Sequence, residues 1–248
     1  KHDATLIPGD VLDFNDKSMT EEAKILEFLG FAIEAEKGGR AVIFTSGNHD
    51  LDDLPFLDVD PKSVEHLYYP YLLRGRPWME VFARFDHATA YSNTRVIGDA
   101  VILSLKWIPW GDIHPSVEDA MRVDVARASG VSRMCKLPMI IVYHEAPESR
   151  CILEEIVTNY EPAYFLCGHE HSKPLKTQRP ARRLNKTTVI NVGQNLDAAT
   201  PCHGILDVKN QTLLWNYTDE GTSHSKTFTL DPRSDSETNE ITLSYSYH

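Results

Sequence analysis

The sequence predicts an α/β protein whose parallel strands end at one shared rim, and three observations predict it. The first is "DATLIPGD" (residues 3–10), a short apolar run that breaks at Gly9 and Asp10. It is followed by a helical pattern and by "AVIFTSGNHD" (41–50), an apolar run that breaks at Gly47, Asn48, His49 and Asp50. Strand, helix, strand is a crossover unit, so the two strands lie parallel and end at the same edge. The second is recurrence: "PMIIVYHEAP" (138–147) ends at His144, "ESRCILEEIVTNY" (148–160) reads as a helix, and "PAYFLCGHEH" (162–171) ends at Gly168, His169, Glu170 and His171. The third is the chemistry of the breaks. Each of the four runs ends in candidate ligands, where the carboxyl ends of parallel strands gather binding loops.

The elements follow in order. In "SMTEEAKILEFLGFAIEAEKGG" (18–39), Ile25, Leu29, Ala32, Ile33 and Glu36 recur at helical spacing; Ser18 and Glu21 form a capping box, and Gly38 with Gly39 is the stop. Residues 51–136 read as a long irregular insertion or cap, its aromatic residues serving packing, with "DAVILSLKWIPW" (99–110) as a strand near its end. The basic segment "SKPLKTQRPARRLNK" (172–186) reads as a solvated hairpin rather than a phosphate site. "TTVINVG" (187–193), "HGILDV" (203–208) and "TLLWNY" (212–217) read as strands. From Asp231 the chain is rich in Ser, Asp, Glu and Thr and reads as loosely packed until a final alternating "ITLSYSYH" (241–248). There is no internal repeat, and a single domain over residues 1–248 is expected.

Composition narrows the partners. With 25 basic and 36 acidic residues the net charge is -11, which repels a polyanion and disfavours indiscriminate nucleic-acid binding. Cys135, Cys151, Cys167 and Cys202 lack the paired spacing of a zinc knuckle, so reduced thiols and a cytoplasmic setting are expected. No apolar stretch approaches the roughly 20 residues of a membrane span. The sequons at Asn185, Asn210 and Asn216 are read as chance. Outside the strand ends, His2, His66, His87, His114, His203, His224 and His248 are read as surface or packing residues.

Asp, Asn and His side chains converging at one rim form a mixed oxygen and nitrogen ligand set that suits Mn, Fe or Zn rather than thiolate-selected metals. A carboxylate can bridge two cations. Two ions about 3.5–4 Å apart would clamp the attacking and leaving oxygens of a phosphoryl displacement and generate hydroxide near neutral pH.

The order Gly9, Asp10 and Asp13, then Gly47, Asn48, His49 and Asp50, then His144, then Gly168, His169 and His171 closely resembles the calcineurin-like metallophosphoesterase superfamily. The likeness extends through Gly193, where "INVGQ" is similar to the family's Asn-Pro-Gly turn. It implies a four-layer αββα sandwich of two mixed β-sheets and a phosphoesterase with two divalent ions acting on a small phosphomonoester or phosphodiester. Asp10 is implied as the bridging ligand, Asn48, His144 and His169 as the rest of one metal site, and His171 as part of the other. His49 is implied not as a ligand but as a general acid or transition-state stabiliser beside the substrate oxygen, with Asp13 orienting its ring.

The sequence departs from that pattern in one respect. The family's opening Asp-x-His, expected a few tens of residues before Gly9, does not occur. Three readings stand: the motif lies upstream of Lys1, the protein has lost it and is a one-metal or non-catalytic platform, or Asp112 and His114 substitute for it. The first is preferred, because a sheet without that central strand would expose unpaired edges. Phe14, Asn15 and Asp50 depart from the protein Ser/Thr phosphatases, and a repair-type exonuclease is the enzymatic alternative.

Overall fold

A computed structural model describes residues 3–10, 27, 30–35, 37–45, 47, 92–107, 115–169, 180–192, 202–219, 222–230 and 244–245. The main sheet has six strands: β3 (Ser92–Ile97), β4 (Ala100–Leu105), β5 (Met139–Val142), β6 (Tyr164–Cys167), β7 (Ala181–Leu184) and β8 (Thr187–Asn191), in the order β3-β4-β5-β6-β8-β7. Its four inner strands run parallel, and β3 and β7 close the two edges antiparallel. Every residue of β4, β5 and β6 is buried, as expected for strands covered on both faces.

Alternation along these strands makes two cores. Leu103, Leu105, Met139, Ile141 and Phe165 pack on one face against two helices, α1 (Pro115–Cys135) and α2 (Cys151–Tyr160). Ile102, Ile140, Val142, Tyr164, Leu166 and Ile190 pack on the other face against Leu213, Trp215, Tyr217 and Phe228. These last come from an antiparallel sheet of β9 (Cys202–Asp207), β10 (Thr212–Asp219), β11 (Thr222–Thr229) and β12 (Ser244–Tyr245). Beside it, and contributing Ile43, Ala4 and Leu6 to the same core, lie β1 (Ala4–Pro8) and β2 (Ala41–Thr45), paired in parallel. The two helices, the six-stranded sheet and the strands that face it are successive layers of an αββα sandwich. Among the described residues the second sheet layer is divided between an antiparallel sheet and a parallel pair, rather than forming one mixed sheet.

Side-chain hydrogen bonds fasten β2 to the main sheet. Ser104 Oγ donates to the Phe44 carbonyl at 2.7 Å, and the Thr45 hydroxyl donates to the Leu105 carbonyl. The C-terminal end of the helix that holds residues 30–35 is built as the glycine signals predict: Gly39 takes a φ of 73°, which lets the Arg40 N–H reach the Ala35 carbonyl at 3.0 Å. The face that this helix buries is set differently. Ala32 and Ala35 are buried, whereas Ile33 is 43% exposed, because residues three apart share a face and a neighbour of Ala32 is turned about 100° away.

The expected irregular insertion over 51–136 is corrected at its C-terminal part, where residues 92–105 form a hairpin and 115–135 a 21-residue helix. Val117, Met121, Val125 and Ala128 form that helix's buried stripe. Charges and Gly130 dilute the stripe in the sequence, and packing against the sheet supplies what the local pattern lacks. The capping box at Ser18 and Glu21 and the aromatic run near residue 80 lie outside the described residues. No helix among the described residues is long and apolar enough to cross a membrane.

Candidate metal centre

The alternation that separates the two cores also aims the strand-end side chains. His144 has the parity of Ile140 and Val142, so it projects from the end of β5 into the space between the layers, toward β1. There its Nδ1 lies 3.0 Å from the carbonyl oxygen of Pro8, the last residue of β1. As the only group of that pair able to donate, Nδ1–H fixes the tautomer and leaves Nε2 with a lone pair turned toward the rim. Pro8 lacks an N–H, but its carbonyl is the part this site uses.

Nε2 of His144 lies 3.1 Å from Nδ1 of His169 and 3.3 Å from Oδ2 of Asp10. Among the described residues, Asp10, His144 and His169 form a group whose ligand atoms all lie within 4.8 Å of one another. The side chains of His144 and Asp10 are 1% and 8% exposed, so both are withdrawn from water. Burial holds the His144 imidazole below its usual range, against the pull of the Asp10 carboxylate and the Pro8 carbonyl. The ring is therefore neutral at neutral pH, the form in which imidazole binds a metal.

The backbone is shaped for this convergence. Asp10 and His169 both occupy the left-handed region, with φ of 51° and 63°. Such non-glycine residues are uncommon, Asp and His are among those that tolerate it, and clusters of them mark functional sites. The glycines answer to close approach. A β-carbon on Gly9 would lie 2.8 Å from Cγ of His144, one on Gly47 would strike the Asp10 carboxylate and lie 2.7 Å from Cε1 of His144, and one on Gly168 would lie 3.1 Å from the Pro8 carbonyl.

The residues fit a divalent cation. An ion with bonds of about 2.0–2.2 Å to nitrogen and oxygen holds neighbouring ligand atoms roughly 3 Å apart, which is the separation between His144 and each of its two neighbours. Of the expected site residues, the structure brings together Asp10, His144 and His169. Asp13, Asn48, His49 and His171 lie outside the described residues, as do Asp112 and His114. His203 and His224 stand apart on the antiparallel sheet, the first 3.2 Å from Asn216 and the second stacked on Tyr217 at 5.0 Å.

The sequence reading missed what lies behind His144. Glu145 has the opposite parity and turns toward the helices, where its carboxylate accepts hydrogen bonds from Trp107 Nε1 at 2.6 Å, Ser149 Oγ at 2.9 Å and Arg150 Nε at 2.9 Å. Burial alone would raise Glu145, but these donors outweigh it and hold the carboxyl below its usual range. Glu and Arg five residues apart around a proline was a signal that could have been read.

With that geometry in place, comparison with known proteins adds the family. The sequence profile described as calcineurin-like phosphoesterase matches residues 1–173, a span that holds all of the expected metal and catalytic residues. The chain belongs to this family. No curated protein matches the sequence. Family membership brings metal-dependent phosphoester hydrolysis, and Asp10, His144 and His169 are the described residues able to hold a metal for it.

Proposed function

We propose that this calcineurin-like phosphoesterase hydrolyses a small phosphomonoester or phosphodiester at a two-ion centre of Mn, Fe or Zn. The observation that carries the reading is the convergence of Asp10, His144 and His169 at 3.1 and 3.3 Å between the two layers of a family-matched fold. Asp10, Asn48, His144, His169 and His171 would hold the ions, with the Asp10 carboxylate common to both ligand sets, Asn48, His144 and His169 completing one of them and His171 serving the other. Bound there, divalent ions would supply Lewis acidity to the phosphoryl oxygens and acidify a water. Neutral His144, buried and anchored through Nδ1, presents its lone pair without a proton having to leave first. The role assigned to His49 is that of general acid to the leaving oxygen rather than metal ligand, with Asp13 as its orienting partner. The net charge of -11 favours a small substrate over a nucleic acid.

The test joins metal analysis to turnover. Full-length protein purified without chelator is expected to carry one to two equivalents of Mn, Fe or Zn, in line with a one- or two-ion centre, and to hydrolyse a nitrophenyl monoester or diester. His49→Ala is expected to keep its metal while losing roughly 10²–10⁴-fold in turnover on an alkyl phosphoester, the usual worth of general acid catalysis. Metal-free protein of full purity, or undiminished turnover of His49→Ala at matched metal content, would defeat the reading.

A further inference from the structure

We infer that Glu145, clamped by Trp107, Ser149 and Arg150, is a positioning residue that sets His144 for metal binding; the inference rests on the metal-centre reading above. Glu145 follows His144 directly in the chain and leaves on the opposite face, so the peptide joining them is held from both sides. On the inner side His144 Nδ1 is tied to Pro8. On the outer side the Glu145 carboxylate is tied to three places: Trp107 beyond the end of β4, Ser149 in the 3-10 turn Pro147–Ser149, and Arg150 at the start of α2, whose Nη2 adds a further bond at 3.2 Å. The Trp107 indole also meets the His144 ring edge to face, with centroids 6.3 Å apart. One cluster thus touches both the backbone and the ring of the candidate ligand.

Stability alone is a weak reason for such a cluster. The side chains of Arg150 and Glu145 are 9% and 3% exposed, and an ion pair so buried loses in desolvation much of what attraction returns, so apolar residues would fill the space as well. What an apolar filling lacks is direction. Four charge-assisted or polar hydrogen bonds at fixed angles hold one rotamer and one backbone path, and outer partners of metal ligands act in this way.

The experiment titrates Mn²⁺ calorimetrically into chelator-stripped, full-length wild type, Glu145→Gln, Trp107→Phe and Glu155→Gln, with a thermal midpoint recorded for each. Glu155 is the control: its carboxylate pairs with Arg122 at 2.8 Å and so ties α2 to α1 rather than to Glu145. Glu145→Gln is expected to weaken Mn²⁺ binding about 10–100-fold, the usual effect of losing an outer partner. Trp107→Phe, which keeps a ring but drops the donor, should weaken it less, and Glu155→Gln should leave the affinity unchanged even where its midpoint falls. Wild-type affinity in both Glu145→Gln and Trp107→Phe would overturn the inference and leave the cluster a structural anchor. If Glu145→Gln does not fold, Trp107→Phe decides. Absence of Mn²⁺ binding by wild type would instead sink the metal centre itself, together with this inference.

Discussion

His144 and Glu145 are neighbours in the chain, both almost wholly buried at the end of β5, and the two faces they enter are put together differently. On the helix side the Glu145 carboxylate meets an arginine, an indole and a hydroxyl, a complement of donors matched to its charge. On the inner side, among the described residues, His144 Nε2 meets a carboxylate and a second imidazole, Asp10 and His169. A buried polar group surrounded by complementary partners is scaffold. One surrounded by other ligand-grade acceptors is a site, because such atoms gain most when a cation lies among them.

The sharpest way to break the comparison is to remove the inner side. His144→Ala should deplete the bound metal and lower phosphoester turnover by about 10³-fold, the rate equivalent of several kcal/mol of lost Lewis-acid stabilisation. Metal analysis and steady-state hydrolysis on the same preparation check it, and wild-type metal content in this variant would contradict the assignment. Next in size is crowding. Gly47→Ala places a β-carbon against Asp10 and His144, and overpacking of this kind costs about 1–3 kcal/mol, so Mn²⁺ should bind roughly ten- to a hundredfold more weakly by calorimetry. Gly130→Ala offers a contrast on α1, where nothing lies within 4 Å of the new methyl group. There the substitution should stabilise by about 0.5–1 kcal/mol in chemical denaturation and leave metal binding alone.

The smallest effect concerns a carboxylate on the scaffold side. Hydrogen bonds from Arg122 hold Glu155 below its usual range, outweighing slight desolvation. A carboxyl whose folded value is depressed contributes stability that is present above its unfolded value, near 4.3, and is lost as pH falls through the folded one. With side chains 33% and 40% exposed the pair is screened, and its worth is about 0.2–1 kcal/mol. Denaturation of wild type and Glu155→Gln should therefore differ by no more than this at neutral pH and converge in acid. A gap that persists below pH 3 would assign the difference to packing instead.

The sequence by itself determined the crossover units and the rim. Apolar runs that break at Gly9, Gly47, His144 and Gly168 carry their direction in local pattern, and the order of the motifs carries the family, since both are written in neighbouring residues. Local pattern did not reveal α1, whose stripe of Val117, Met121, Val125 and Ala128 becomes decisive only against the sheet, nor that Ile33 turns outward while Ala32 packs. Tertiary structure alone decided why those glycines are glycines and what orients the ligands. The contacts concerned span 136 residues from Pro8 to His144 and 38 from Trp107 to Glu145. Hydrogen bonds between residues so far apart leave no periodicity in the chain. They arise when strand alternation sends His144 to one core and Glu145 to the other, which only the assembled layers can do.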